Sequence, residues 1–267
     1  MYHFLCLFLA LNISLNTVTP IFMQYIKLDA IPSTNDFLKD YVKRELVKNY
    51  TTVSAYEQTN GKGQMGSVWN SQAGKNLTMS VYVSGLALNS KSIFTLNKSI
   101  ALAVLDVLRK FEFKNLTIKW PNDIMAENKK IGGILIENVY SASNGIYSIV
   151  GIGLNINQTD FDNLPQASSV KLIFRKELDV QKLVSKVTQS IKIRCESLKK
   201  LPNNRELIEE EYWNSLFKKN IPLVFEDTSS AKFMGIITGV SPNGFLQIQK
   251  EDDSIQEYGI KEIKMLY

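Results

Sequence analysis

Lys119-Trp120-Pro121-Asn122-Asp123, followed by Lys129-Lys130-Ile131-Gly132-Gly133, places a cation, a carboxylate, an amide and an aromatic ring at the end of an apolar strand. Two lysines and a glycine pair come next. A bare Lys119/Asp123 ion pair at a strand end would be worth roughly 0–1 kcal/mol. But polar groups beside a Trp-Pro strand terminus need partners if they are buried, and a strand end facing a ligand supplies them. Lys129-Lys130 alone reads as a basic hairpin. The glycine pair running straight into Ile134-Leu135-Ile136 shifts that reading, because glycine at a strand start permits close approach by a ligand. The chemistry that suits such a site is charge screening of a small acidic molecule with phosphates.

Other reactive sets are missing. The only histidine is His3 and the cysteines are Cys6 and Cys195, which argues against a Ser-His-Asp site, a Cys-His site or a histidine-based zinc site. Two distant cysteines give no disulfide framework, so a reducing compartment, the cytoplasm, is expected. The net charge of +5 fits an anionic ligand, an acidic protein partner or nucleic acid, and does not choose among them. The 267 residues, 45% hydrophobic and 21% charged, suffice for one large domain or one plus a small one.

Residues 4–13 look like a signal-peptide core, but no Lys or Arg precedes them, no clear cleavage site follows, and the run is too short to span a bilayer. Met23 is read as the true start, and residues 1–22 as a doubtful extension.

Elements must hold these residues in place. Ser33-Thr34-Asn35-Asp36 has capping-box spacing and opens a helix carrying Phe37, Leu38, Tyr41, Val42 and Leu46. Strands are expected at 52–57, 77–83, 116–120, 134–137 and 146–156, and helices at 97–111, 180–200 and 203–218. In 77–83, Leu77, Met79, Val81 and Val83 alternate with polar or amphipathic residues. From Ile221 short β segments with turns at Pro242-Asn243-Gly244 and 251–254 read as a small barrel or sandwich. The expected division is therefore 24–220 and 221–267.

Gly61-Lys62-Gly63-Gln64-Met65-Gly66 matches G-x-G-x-x-G, but a Rossmann loop must open a helix. Polar residues and then a strand follow here, so that reading is rejected. A flexible hairpin loop and an anion nest both remain. Trp69 stacks on a base or simply packs. Ser33-Thr34-Asn35 caps a helix and offers groups to a polar head. Gly151 to Asn157 is a strand thinned by glycine, with Asn155 placed to reach a ribose or phosphate.

In this order the motifs resemble biotin protein ligases: Ser33-Thr34-Asn35, Glu57 to Gly63 with Trp69, Lys119 to Asp123, Lys130 to Glu137, and Gly151 to Asn155. The resemblance covers roughly residues 24–267. It implies an α+β catalytic domain with a central mixed sheet, like that of class II aminoacyl-tRNA synthetases, and a C-terminal SH3-like β-barrel. It implies that biotin and Mg-ATP give biotinyl-5′-AMP and pyrophosphate, after which the acyl group passes to a lysine of a biotin carboxyl carrier domain. By that resemblance Ser33, Thr34, Asn35 and Gln58 bind the biotin head group. Lys62, Gly63 and Gln64 lie in the loop that closes over biotin and the adenylate. Gly133 shapes the biotin pocket. Gly61, Gly66, Trp69, Asn122 and Asn155 serve the nucleotide. Lys130, at the carboxylate and α-phosphate, leads the catalytic set with Lys62 and Asp123; the magnesium ligands stay unassigned.

Many members carry a Gly-Arg-Gly-Arg-type loop, a departure bearing on Lys62 and Gln64. A lipoate–protein ligase is the enzymatic alternative, and a basic nucleic-acid-binding module the non-enzymatic one. A DNA-binding repressor is not expected, since no such module precedes residue 24; neither is a membrane partner. The sequence leaves a homodimer open.

Overall fold

The computed structural model describes residues 23–86, 93–141, 145–162, 164–200 and 204–267. The reading of the segment before Met23 lies outside them.

Strand β1 (Tyr25–Ile31) leads through helix α1 (Thr34–Arg44) to β2 (Thr52–Gln58), which lies parallel to β1. β3 (Leu77–Val83), helix α2 (Ile93–Arg109), β4 (Leu116–Lys119), β5 (Asp123–Ala126), β6 (Lys129–Ser141) and β7 (Gly145–Leu154) follow. The seven strands form one mixed sheet in the order β1-β2-β3-β7-β6-β5-β4. Helices α3 (Val170–Phe174), α4 (Val180–Lys200) and α5 (Asn204–Ser215) come next. A second, antiparallel sheet holds β8 (Pro222–Asp227), β9 (Lys232–Val240), β10 (Leu246–Lys250), β11 (Ile255–Tyr258) and β12 (Ile263–Leu266). Its order is β11-β10-β9-β8-β12. Among the described residues no pairing joins β11 to β12, so the expected small barrel is seen as an SH3-like five-stranded antiparallel sheet.

The period-two pattern of β3 decides how the layers form. Leu77, Met79, Val81 and Val83 enter the large core with α2 and α4, while Tyr82 joins Leu38, Val53, Tyr147 and Ile149 beneath α1. Both faces of β3 are therefore buried. Ser33 caps α1, its Oγ accepting from the Asp36 amide at 3.3 Å. The helix stops at Arg44, so Leu46 lies beyond it and is fully exposed, contrary to its expected place on the apolar face. Helix α2 starts before the expected residue 97 and ends before Phe111. It is buried nearly all round, including Lys98, which pairs with Glu209 and sits against the rings of Phe94 and Tyr212.

One irregularity sits in the β5–β6 ladder. Ile124 pairs with Gly132 but Met125 pairs with Lys130, leaving Ile131 as the extra residue of a bulge.

Trp120 corrects an expectation. It is buried, and its indole N–H donates to the carbonyl of Gly244 at 2.9 Å, in the expected turn between β9 and β10. Lys119 likewise turns its ammonium over the Tyr267 ring, 4.9 Å from the centroid. The strand end thus docks the second sheet. Trp120→Phe is expected to lower stability by about 1–3 kcal/mol, because the Gly244 carbonyl loses its buried partner. Urea denaturation of the variant against wild type measures this.

Candidate active site

A cleft of about 190 Å³ opens where the sheet is left uncovered beside the start of α1. Its inner end is built from α1, β2 and β3. Gln58 Oε1 accepts from the backbone N–H of Thr34 at 2.8 Å and from the Thr34 hydroxyl at 3.0 Å. Ser80 Oγ lies 2.7 Å from Thr34 Oγ1 and 2.6 Å from Asn35 Oδ1. Asn35 gives its amide N–H to Glu137 at 2.7 Å.

Two glycines make that arrangement fit. A Cβ on Gly151 would sit 2.5 Å from Asn35 Oδ1, and one on Gly153 would run into the Trp69 indole. Gly153 pairs with Gly133 across the β6–β7 ladder. The indole therefore lies on bare backbone. Its Nε1 is buried and has no hydrogen-bond partner among the described residues.

At the other end Lys130 Nζ pairs with Asp123 Oδ1 at 2.6 Å and lies 5.9 Å from the Trp69 ring centroid. The backbone of Lys130 is held on its outer side: its N–H donates to Gln166 O at 2.8 Å and its carbonyl accepts from Ser168 N at 2.9 Å. Nearby Lys119 has its pKa lowered; burial is the main cause, Lys130 adds to it and Asp123 opposes it. Lys62, in the glycine loop, pairs with Asp36 at 2.6 Å. Burial raises the Asp36 carboxyl, but hydrogen bonds from Lys62 and Lys39 outweigh it and hold the group below its usual value.

The glycine loop is a tight hairpin with one short 3-10 turn at Gln64–Gly66. Its Gly63 amide is spent on Ser67 O at 2.7 Å, so that amide is not free for an anion. Lys261, from the second sheet, donates to Met65 O at 2.6 Å and ties the loop from the far side.

Ser33, Thr34, Asn35, Gln58, Lys62 and Gly63 all border the cleft, as do Gln64, Trp69, Asn122, Asp123, Lys130 and Gly133. Asn155 does not. It borders an adjoining hollow of about 640 Å³, shared with Trp69 and Lys130 and walled by Gln158, Phe161 and Ala167. Gly61 and Gly66 border neither. Gly61 pairs its carbonyl with Trp69 N at 2.9 Å, and Gly66 sits at the exposed loop tip. Sequence reasoning missed Ser80, Gly151 and Glu137 in the site. A polar residue midway in a strand with both faces buried was the available signal for Ser80. Among the described residues no group of three His, Cys, Asp or Glu side chains forms a metal site of its own. No helix among them is long and apolar enough to cross a membrane.

Residues 28–157 match the model of the biotin/lipoate A/B protein ligase family. The chain carries a ligase domain of that family. Around this ligase domain the likeness extends further. The chain is 25% identical over 226 residues to the bifunctional ligase/repressor BirA of Salmonella typhimurium, covering 84% of this chain and 69% of that protein. It is 31% identical over 129 residues to BirA of Escherichia coli, covering 48% of this chain and 39% of that one. The match thus spans well under two thirds of the E. coli relative. The biotin protein ligase of Aquifex aeolicus, solved with biotin and ATP, superposes with a TM-score of 0.72 at 26% identity over 92% of this chain and 99% of that chain. The mixed sheet with an appended antiparallel sheet is the architecture of these ligases.

Proposed function

We propose that this protein is an ATP-dependent biotin–protein ligase. The observation that carries the reading is the place of Lys130, whose side chain borders both the small polar cleft and the larger hollow. A ureido-type head fits the cleft end made by Thr34 and Gln58, with its carboxylate directed toward Lys130. A nucleotide fits the hollow beyond Trp69, bordered by Asn155. The carboxylate oxygen then attacks the α-phosphorus, the bond to pyrophosphate breaks, and biotinyl-5′-AMP remains. A lysine amine of a biotin carboxyl carrier domain next attacks the acyl carbon, and AMP leaves with the bonding pair.

Two anions must meet in the first step. A unit charge at 4 Å contributes about 4 kcal/mol at an effective dielectric near 20, so a lysine held at the junction acts by electrostatic stabilisation without a covalent enzyme intermediate. Asp123 aims that lysine before the ligands arrive. Magnesium enters with ATP, and Asp123 and Asn122 are the cleft groups suited to the metal–phosphate end.

Biotin-dependent ATP–pyrophosphate exchange tests the reading. Exchange with biotin and none with lipoate is expected; lipoate alone supporting exchange would replace it with the lipoate ligase, and salt-sensitive nucleic-acid binding without exchange would replace it with the binding module. We further propose a division near residue 220, a cytoplasmic setting and a carrier domain as protein partner, with the homodimer left to sedimentation analysis.

The loop departure has its own expected result. Lys62 and Gln64 cannot form the bidentate fork that arginine offers to phosphate. A Lys62→Arg, Gln64→Arg variant should release the adenylate about tenfold more slowly, a gain of roughly one charge-assisted hydrogen bond. Chasing labelled adenylate from both proteins decides it, and equal release rates refute it.

A further inference from the structure

The glycine loop borders the cleft along Lys62, Gly63, Gln64 and Ser67. Its backbone bonds close on the loop itself: Gly63 N–H donates to Ser67 O at 2.7 Å, Ser67 N–H to Gln64 O at 3.1 Å, and Trp69 N–H to Gly61 O at 2.9 Å. Among the described residues two polar links tie residues 62–68 to the rest of the molecule. Lys261, in the turn before β12, donates to Met65 O at 2.6 Å, beside the loop tip. On the other flank Lys62 Nζ pairs with Asp36 Oδ2 at 2.6 Å. Asp36 is well placed as an anchor. It lies in the first turn of α1, where the positive end of the helix dipole favours a carboxylate. Its Oδ1 lies 3.0 Å from Lys39 Nζ, and Lys39 also reaches Glu137 Oε1 at 2.7 Å. Charges therefore alternate along Glu137, Lys39, Asp36 and Lys62, and the Asp36 carboxylate is held in place from the helix side. The same helical turn carries Thr34 and Asn35, which line the inner end of the cleft. A catch at Asp36 thus fastens the loop to the cleft wall itself.

We infer that Asp36 is a positioning residue for the proposed reaction: acting through Lys62, it is the catch that keeps the glycine loop down on the cleft and so slows the release of a bound ligand. The inference rests on the biotin reading for the identity of that ligand and deepens it by naming what retains it. Both partners of the pair are partly exposed, so its strength is that of a good surface ion pair. Such a pair shifts the opening of the loop about fivefold, enough to retain a ligand without barring its entry. A rival role for the same carboxylate has the opposite sign. If Asp36 only drew Lys62 away from an anionic ligand, removing the carboxylate would free the lysine and slow release.

Stopped-flow measurement of biotin release from the wild type, Asp36→Asn, Lys62→Gln and the double variant provides the test. Asp36→Asn should release biotin about fivefold faster than the wild type. Added to Lys62→Gln, the same change should alter release by less than about twofold, because its partner is already gone. Unchanged or slower release in Asp36→Asn overturns the inference. So does equal acceleration in both backgrounds, which would mean that Asp36 acts through α1 and not through Lys62. A second readout needs no ligand. Trp69 ends the loop, and its indole N–H is buried without a hydrogen-bond partner among the described residues, so its exchange with solvent reports how often the loop lifts. That exchange, followed by NMR, should be about fivefold faster in Asp36→Asn, and an unchanged rate overturns the catch. Absence of biotin binding by the wild type overturns the function reading alone, and the indole exchange then decides the role of Asp36.

Discussion

Alanine in place of Lys130 is expected to lower biotin-dependent ATP–pyrophosphate exchange by about 100- to 1000-fold, the cost of losing one preorganised electrostatic donor. The backbone at Lys130 is clamped between Ile131's bulge and the pairing with Gln166 and Ser168. The variant should therefore keep its local geometry and lose only the charge. Asp123 loses its ion-pair partner but retains the charge of Lys119 nearby. Stability should accordingly change little, since the Lys130–Asp123 pair is partly solvated. Exchange rate and urea denaturation measured on the same preparation separate the two effects. A folded variant that exchanges within a few-fold of wild type would remove Lys130 from the proposed mechanism.

The second large effect is expected at Gly153. Its backbone pairs with Thr78 on one side and Gly133 on the other, so the strand cannot move aside. Any side chain there meets the Trp69 ring. Gly153→Val should push the indole off the sheet at a cost of about 1–3 kcal/mol of overpacking. Trp69 borders both the cleft and the adjoining hollow. Its displacement should weaken biotin and ATP together, each by roughly 10- to 100-fold, with both affinities read by calorimetry. Loss of only one of the two would show that the indole does not serve as a shared wall.

Much of this frame is legible locally. The alternation of β3, the cap at Ser33 and the loop that opens no Rossmann helix are all short-range signals. The same holds for the strand-and-turn spacing after residue 220. Trp120 shows where such signals stop. Its neighbours in sequence mark a polar strand end, yet its own partner is Gly244, far along the chain. Glu137 and Asn35 meet in the same way, about a hundred residues apart. Ser80 looks like the polar half of an alternating strand, and its importance comes from the two side chains that α1 lays over it. The wall of the larger hollow around Phe161 lies outside the named strands and helices, so no helical or strand period announces it.

The bulge at Ile131 makes the position of Lys130 a matter of parity. In a regular ladder Met125 would face Ile131, and Lys130 would share a side with Ala126 in the layer beneath α2. The extra residue moves the ammonium to the side of Asp123. A one-residue deletion that restored regular pairing would leave the letters Lys-Ile-Gly-Gly readable and still bury the charge among apolar side chains. For sequences compared by motif alone, matching letters are then insufficient. The residue count from Asp123 to Gly133 is the quantity that keeps the site in being.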